Sequence, residues 1–337
     1  MQSFCVTLSP LSAFATPLKG DTLFGQLCWA IRNRLGEAYL TELLAGYTDG
    51  RPFAVVSDAF PEHYLPLPKL PNSFYQPIDG EDRKAVKKRC WLPEAAIGKP
   101  VSEWLGHART PAALAGEYTG LSEKHPQPHN TINRRTNTTG EGGFAPYSIE
   151  QEWFIPGLRW SVYILLDSGW LSPENCRQCL DDIGCFGFGR DASIGLGKFA
   201  VEDFQARHLP AQDNANACLT LAPCAPQGLG FDGQRSFYQL FTRFGRHGDI
   251  AVHQEGKPFK NPVLLAQTAA VFGTEPPKSG FIGQGIGGDG ELSKTLKATV
   301  HQGYAPVIGV RLKTEGGSDA HIATNATDDN QPFLIAT

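Results

Sequence analysis

The sequence has 337 residues, of which 41% are hydrophobic and 10% aromatic, and its formal net charge is −4. This apolar content supplies folded cores and excludes a disordered chain, while the acidic balance argues against a free-standing coat protein that binds nucleic acid non-specifically. The length predicts two domains, or one domain with a large insertion.

The first 57 residues carry regular patterns of apolar residues. Phe4, Val6 and Leu8 alternate along residues 2–8, which predicts a half-buried strand. Apolar residues then recur every four positions after the capping types Asp21 and Thr22, which predicts a helix over 22–36. A second strand is predicted at 53–56.

Residues 58–148 form a long insertion that is rich in proline, glycine and charge and has little periodicity. We expect such a segment to leave its apolar side chains exposed for a protein neighbour. These side chains are Phe60, Tyr64, Leu65, Phe74 and Tyr75.

Regular patterns resume after the insertion. Two strands are predicted at 150–155 and 159–167, joined by a Pro-Gly turn, and a helix is predicted from Ser172 to Gly184. A glycine-rich run and a last strand at 198–204 follow. This order predicts an α+β, ferredoxin-like (RRM-like) βαββαβ domain over 1–206.

The remaining sequence is mostly β-like. We predict a linker at 207–216, a second and degenerate ferredoxin-like, β-rich domain at 217–313, and a polar tail at 314–337. The second domain has its own glycine cluster at 280–290, which suggests a degenerate duplication.

The glycine-rich run, "GCFGFGRDASIGLGKF" at 184–199, is the strongest functional signal. It follows a predicted helix and enters a strand, so it is not a dinucleotide-binding loop, which leaves a strand and opens a helix. Backbone N–H groups in such a run form a concavity that binds anions. The alternative is a flexible connector.

Two other polar stretches are candidates for RNA contact. Residues 125–144 combine amides, hydroxyls and arginines, which suit phosphate, ribose and base edges, although a polar surface loop has the same composition. The basic run at 83–89 is by default a solvated surface. We expect no metal, no cofactor and no membrane span, and reduced thiols that place the chain in the cytoplasm.

Four stretches, taken in order, resemble a known family: "GDTLFGQLCWAI" (20–31), "VVSDAFPEHYLPLPKLP" (55–71), "HNTINRRTNTTGEGGFAPYSIE" (129–150) and the glycine-rich run. The chain resembles the RAMP superfamily of CRISPR-associated proteins. Within it, the chain is similar to the Csm subunit 4 family, the Cas-five group of type III-A effector complexes.

The resemblance implies RNA binding without catalysis, in antiviral defence. It implies three partners: the repeat-derived 5′ tag of the guide RNA, the large Cas-ten subunit and a backbone RAMP subunit of the Csm filament. The implied RNA-binding residues are Lys19, Thr22, Asn130, Asn133, Arg134, Arg135, Thr136, Asn137, Gly187, Phe188, Gly189, Arg190, Ser193, Ile194, Gly195 and Arg243.

One departure from the family and two alternative functions remain. The family loop commonly has a cation between Asp and Ser, where this chain has Ala192, with Arg190 before Asp191 instead. One alternative is a metal-independent RAMP endoribonuclease that uses His129, Tyr147 and Lys198 as its candidate acid and base. The other is a structural protein whose glycine loop serves packing.

Overall fold

The computed structural model describes residues 1–78, 80, 82–140, 142–248 and 259–313, so the predicted tail at 314–337 lies outside the described residues. The helices are α1 (Gly20–Leu35), α2 (Glu37–Leu44), α3 (Arg83–Val86), α4 (Val101–His107), α5 (Pro111–Ala115) and α6 (Pro173–Phe186). The strands are β1 (Gln2–Pro10), β2 (Ala54–Pro61), β3 (Tyr64–Pro66), β4 (Trp91–Pro93), β5 (Ser122–His129), β6 (Tyr147–Phe154), β7 (Trp160–Leu166), β8 (Phe199–Ala206), β9 (Ala217–Thr220), β10 (Asp232–Phe237), β11 (Leu240–Arg243), β12 (Val263–Ala266), β13 (Val271–Gly273), β14 (Phe281–Gly287) and β15 (Val300–Val310).

A four-stranded antiparallel sheet with the order β2-β7-β1-β8 forms the centre of the N-terminal half. Because strand side chains alternate between faces, Val6 packs with α1 and α6, whereas Cys5 belongs to a second core on the other face. Ser172 accepts a hydrogen bond from the N–H of Asn175, so α6 begins where the sequence predicted.

The start of α1 differs from the expected cap. The helix begins at Gly20, and the carboxylate of Asp58 accepts the Gly20 N–H at 2.8 Å. Asp58 lies within β2, so the residue that caps α1 belongs to a neighbouring strand. Asp21 instead points into the protein, where its carboxylate is fully buried.

The expectation that the insertion leaves its apolar residues exposed is wrong. Phe60 lies on β2, which extends to Pro61, and is buried. Leu65 is fully buried in the second core with Leu92 and Trp104. Tyr64, Phe74 and Tyr75 are half-buried. The insertion therefore covers one face of the central sheet with a core of its own.

The strand predicted at 150–155 does not join the central sheet. It forms β6, which starts at Tyr147 and pairs antiparallel with β5 in a separate two-stranded hairpin. Only one backbone bridge, Phe14 to Glu152, attaches the described part of β6 to the segment that follows β1. The β5–β6 hairpin is therefore an appendage of the domain.

The C-terminal part is β-rich, as the sequence indicates. It forms a five-stranded sheet of order β10-β13-β9-β15-β14 and the ribbon β11–β12, and no helix lies within 217–248 or 259–313. The helices of a second ferredoxin-like unit are thus not among these residues. Gln302 on β15 exchanges two buried hydrogen bonds with the backbone of Val56, which fastens this part to the central sheet.

Candidate nucleic-acid interface

The glycine-rich loop connects α6 to β8 and closes on itself. The N–H of Phe188 donates to the carbonyl of Gly197 at 2.9 Å. A Cβ atom at position 197 would lie 2.1 Å from the Phe188 carbonyl oxygen, so only glycine permits this approach. Asp191 adopts a left-handed conformation with φ of 64° before the short turn 192–194. The loop thus has a defined shape.

Residues 11–18, which we call the bridging segment, hold this loop in place. The N–H of Gly197 donates to the carbonyl of Ala13, and the N–H of Arg190 donates to Thr16 Oγ1 at 2.9 Å. The same segment pairs with Glu152 through Phe14. It leads into Lys19 and α1, so it joins the glycine loop, the base of the β5–β6 hairpin and the N-terminus of α1.

A small core supports the junction. Ala13, Ile149 and Leu196 are buried together, one from each of the bridging segment, β6 and the glycine loop. Sequence reasoning missed the bridging segment because it is short and shows no periodicity. Pro10 before it and Pro17 within it were the available signal for a non-regular segment.

Three of the five predicted cations are paired with carboxylates. Lys19 Nζ lies 2.7 Å from Asp58, and Arg190 Nε lies 3.0 Å from Asp191. Arg243 Nε and Nη2 lie 2.6 and 3.1 Å from the two oxygens of Asp21. Their positive charge is therefore partly neutralised, and the loop N–H groups of Phe188, Arg190 and Gly197 already donate within the protein.

The remaining residues predicted near the loop divide between core and surface. Phe188 is fully buried and faces Phe14, with ring centroids 6.4 Å apart, so its side chain is not at the surface. Ser193 is exposed, and the side chain of Ile194 is 54% exposed. Thr22 lies in the first turn of α1, where its N–H donates to Asp21 Oδ1. Sequence reasoning missed Phe186, which is 76% exposed just before the loop.

The second group of predicted residues lies at the end of the β5–β6 hairpin. Asn133 organises this turn, since its side chain accepts the N–H of Arg135 and its carbonyl accepts the N–H of Asn137. Both arginines of this turn are exposed. The other predicted residues of the hairpin end are Asn130, Arg134, Thr136 and Asn137, all exposed. The hairpin contacts the bridging segment through Glu152 and Ile149 of β6.

Two of the three candidate nuclease residues contact each other, and the third has different partners. The rings of His129 and Tyr147 stack at 5.4 Å between centroids, at the outer end of the hairpin. Lys198 is exposed beside the bridging segment, where its N–H donates to Ser12 Oγ. Among the described residues, no ring contact or hydrogen bond joins Lys198 to either ring.

The described residues contain no group of three or more His, Cys, Asp or Glu side chains that could hold a metal ion. Cys176 and Cys179 are buried on the inner face of α6, and burial raises the pKa of Cys179 to about 11. Both thiols are therefore protonated near neutral pH. None of the helices in the described ranges combines the length and apolar character needed to cross a bilayer.

We expect alkylation of the native chain by iodoacetamide to label Cys185 first, because it is exposed and the thiols of Cys176 and Cys179 are buried. The two buried thiols should react only after unfolding in denaturant. Peptide mass spectrometry measures this order, with Cys185→Ser as the control. Early labelling at Cys176 and Cys179, or stoichiometric zinc bound there, would contradict the assignment.

No protein-family model matches the sequence, and no curated protein matches it. Solved structures do. A chain of the Csm1-Csm4 cassette in complex with pppApA is similar with a TM-score of 0.58 and 17% identity, over 94% of this chain and 100% of that chain. A chain of the Csm3-Csm4 subcomplex of the type III-A CRISPR-Cas interference complex has a TM-score of 0.58 and 13% identity, over 92% and 100%.

At this identity the likeness shows the fold alone. It is a Csm4-like fold, since Csm4 is the subunit common to both assemblies. The match extends over nearly the whole chain. It therefore confirms the resemblance that the sequence motifs indicated, at the level of the fold.

Proposed function

We propose that this chain is a non-catalytic subunit of a type III-A CRISPR effector complex, which binds the repeat-derived 5′ tag of the guide RNA. In this role it docks the large Cas-ten subunit and adjoins a backbone RAMP subunit. Csm4 occurs with Csm1 and with Csm3 in the similar solved structures, and this supports protein partners of the same kind.

The observation that carries the proposal is the bridging segment. It holds the glycine loop through Ala13 and Thr16, pairs with the hairpin base through Phe14, and continues into Lys19 at α1. Three backbone elements with N–H groups, hydroxyls and cations thus share one surface. Single-stranded RNA binds to such surfaces through its phosphates and 2′-hydroxyls, with stacking on exposed side chains.

The fold supports the same proposal. We interpret the order β2-β7-β1-β8, with α1 and α6 on one face, as a ferredoxin-like domain. The opposite face is covered by the insertion and the C-terminal sheet, through Tyr163 and Ile308 among others. A sheet-face RNA site of the kind found in RNA-recognition motifs is thereby blocked, which favours the loops.

The geometry favours binding over cleavage. A metal-independent nuclease needs an acid and a base on opposite sides of one scissile ribose. His129 and Tyr147 stack on each other instead, and no contact joins either ring to Lys198 among the described residues. We therefore place RNA retention, and not catalysis, in this chain.

The test is to reconstitute the chain with its partner subunits and a repeat-containing guide precursor, and to sequence the 5′ ends of the bound RNA. We expect one repeat-derived tag to be retained and protected. Complexes that assemble without RNA would support a purely structural protein and overturn the proposal. Incubation of the isolated chain with repeat RNA tests the nuclease alternative, and specific cleavage products would establish it.

A further inference from the structure

A second groove lies outside the interface described above, where the insertion meets the C-terminal sheet. It is open to solvent and has a volume of about 630 Å³. Its lining includes Lys69, Pro71, Phe231, Phe237, Tyr238 and Gln239. The groove combines one cation, one carboxamide and several aromatic rings.

The ammonium group of Lys69 is held in position by hydrogen bonds, and its charge is not neutralised. Its ammonium donates to Gln239 Oε1 at 2.9 Å and to Gln267 Oε1 at 3.3 Å. Both acceptors are uncharged. Among the described residues no carboxylate lies within ion-pair distance of Lys69, in contrast to Lys19 and Arg190. A fixed, uncompensated ammonium group suits a phosphate.

Tyr238 provides an aromatic surface beside this charge. Its ring stacks on buried Phe272 with centroids 5.2 Å apart and meets the edge of Phe231 at 6.0 Å, while 39% of the residue stays exposed. The ring is therefore braced from below and from the side. Gln239, which positions Lys69, is the next residue in the chain. A braced ring next to a cation is the arrangement that binds a stacked base and its phosphate.

The groove adjoins the proposed RNA path. Gln267, which binds Lys69, is followed by Thr268, whose hydroxyl donates to Asp58. Asp58 in turn binds Lys19 and caps α1. Lys69 is thus linked to the N-terminus of α1 through Gln267, its chain neighbour Thr268 and the buried Asp58.

We infer that this groove binds one nucleotide of single-stranded RNA, with the base on Tyr238 and a phosphate at Lys69. The inference rests on the proposed function, because it extends the path of the same RNA beyond α1. It adds a nucleotide site on the insertion and the C-terminal sheet, two elements that the glycine loop does not reach.

Photocrosslinking in the reconstituted complex tests the position of the base. Guide RNAs that carry 5-iodouridine at one tag position at a time are irradiated, and crosslinked peptides are identified by mass spectrometry. One position should crosslink to the peptide containing Tyr238. RNA that is retained but crosslinks only elsewhere overturns this inference and leaves the proposed function intact, whereas a complex without RNA overturns the proposed function.

The salt dependence of RNA binding tests the phosphate. Each lost phosphate contact lowers the slope of log affinity against log salt by roughly 0.7 for a single strand. We expect this decrease for Lys69→Gln, which keeps the side-chain length similar. Lys99→Gln is the matched control, since Lys99 is exposed on the same insertion and lies outside the groove. Equal slopes for the two variants would overturn the inference.

A competition experiment tests whether the ligand of the groove is an RNA strand or a free nucleotide. Adenosine monophosphate in excess should leave the Tyr238 crosslink unchanged, because the tethered RNA nucleotide has the higher effective concentration. Displacement of the crosslink by the mononucleotide would assign the groove to free nucleotides and overturn its role in the RNA path.

Discussion

Replacing Gly189 by valine is expected to lower the affinity of the assembled complex for its guide RNA by roughly tenfold or more. Gly189 has φ of 77°, and a Cβ atom there would lie 2.5 Å from Thr16 Cβ and 2.6 Å from Thr16 Oγ1. A β-branched residue in this conformation costs on the order of 1–3 kcal/mol, before the clash is counted. The loop must then leave Thr16, and the N–H of Arg190 loses its acceptor.

Three further variants isolate the cause when RNA retention is measured by filter binding. Gly195→Val has backbone strain without a clash, since φ is 96° and no atom lies within 4 Å of its Cβ position. Gly98→Val is the matched control, with open space and no positive φ, and should bind RNA as the native chain does. Arg190→Ala should weaken RNA binding by about 1 kcal/mol or less, because an exposed charge pair contributes little.

The outcome that counts against the site is equally clear. If Gly189→Val and Gly195→Val both assemble and retain the tag like Gly98→Val, the loop is only a connector between α6 and β8. Far-ultraviolet circular dichroism of each variant confirms that a loss of RNA does not reflect global unfolding.

The elements that the sequence predicted well are those whose signal is local. Phe4, Val6 and Leu8 alternate on β1, and the four-residue spacing of Leu23, Leu27 and Ile31 places the buried face of α1. Ser172 caps α6 with its own side chain. In each case the residues that decide the structure are neighbours in the sequence.

The errors concern contacts between distant parts of the chain. The partner strand β5 contains Pro126 and Pro128, which hide its strand character, so the sequence does not predict the β5–β6 hairpin. The core of the insertion also depends on distant partners, since Leu65 and Trp104 pack with Leu219 of the C-terminal sheet. A pattern search along one segment cannot find such partners.

In the candidate site, too, local features were predictable from the sequence and distant contacts were not. The glycine loop was recognisable from its composition, because positive φ angles and close backbone approach both require glycine. The residues that hold the loop in place were not recognisable, since Thr16 and Ala13 are more than 170 residues away in the sequence from the groups they bind. Asp21 was predicted only as a local cap, although its pairing with Arg243 joins distant elements.

Asp21 is the clearest example of such a junction, and its removal should have the largest effect on stability. Its side chain is fully buried on α1, where it binds Arg243 of β11 and lies 3.4 Å from Nε2 of His301 on β15. Burial acts to raise the pKa of this carboxyl, but His301 and Arg243 together outweigh it and lower the pKa to about 2. The folded protein therefore strongly favours the ionised form.

We expect Asp21→Asn to lower the free energy of unfolding by about 3 kcal/mol near neutral pH, because a charge left without its buried partner is costly. Arg243 keeps a side-chain exposure of 25%, which places the effect at the lower end of the usual range. The matched control is Glu42→Gln on α2, an exposed acid whose loss should change stability by roughly 0.5 kcal/mol or less. Denaturant unfolding of the full chain, followed by intrinsic fluorescence, gives both values.

The pH dependence of unfolding provides an independent check on the same carboxylate. A folded-state pKa of about 2 lies below the ordinary value of 3.8, so ionised Asp21 stabilises the fold above that ordinary value. The stabilisation is about 2 kcal/mol, and it is lost as the pH falls from about 4 towards 2. Asp21→Asn should flatten this part of the stability profile, whereas Glu42→Gln should leave it unchanged. A profile for Asp21→Asn that falls as steeply as that of the native chain would show that other carboxylates cause the acid sensitivity, and that Asp21 does not hold α1, β11 and β15 together through its charge.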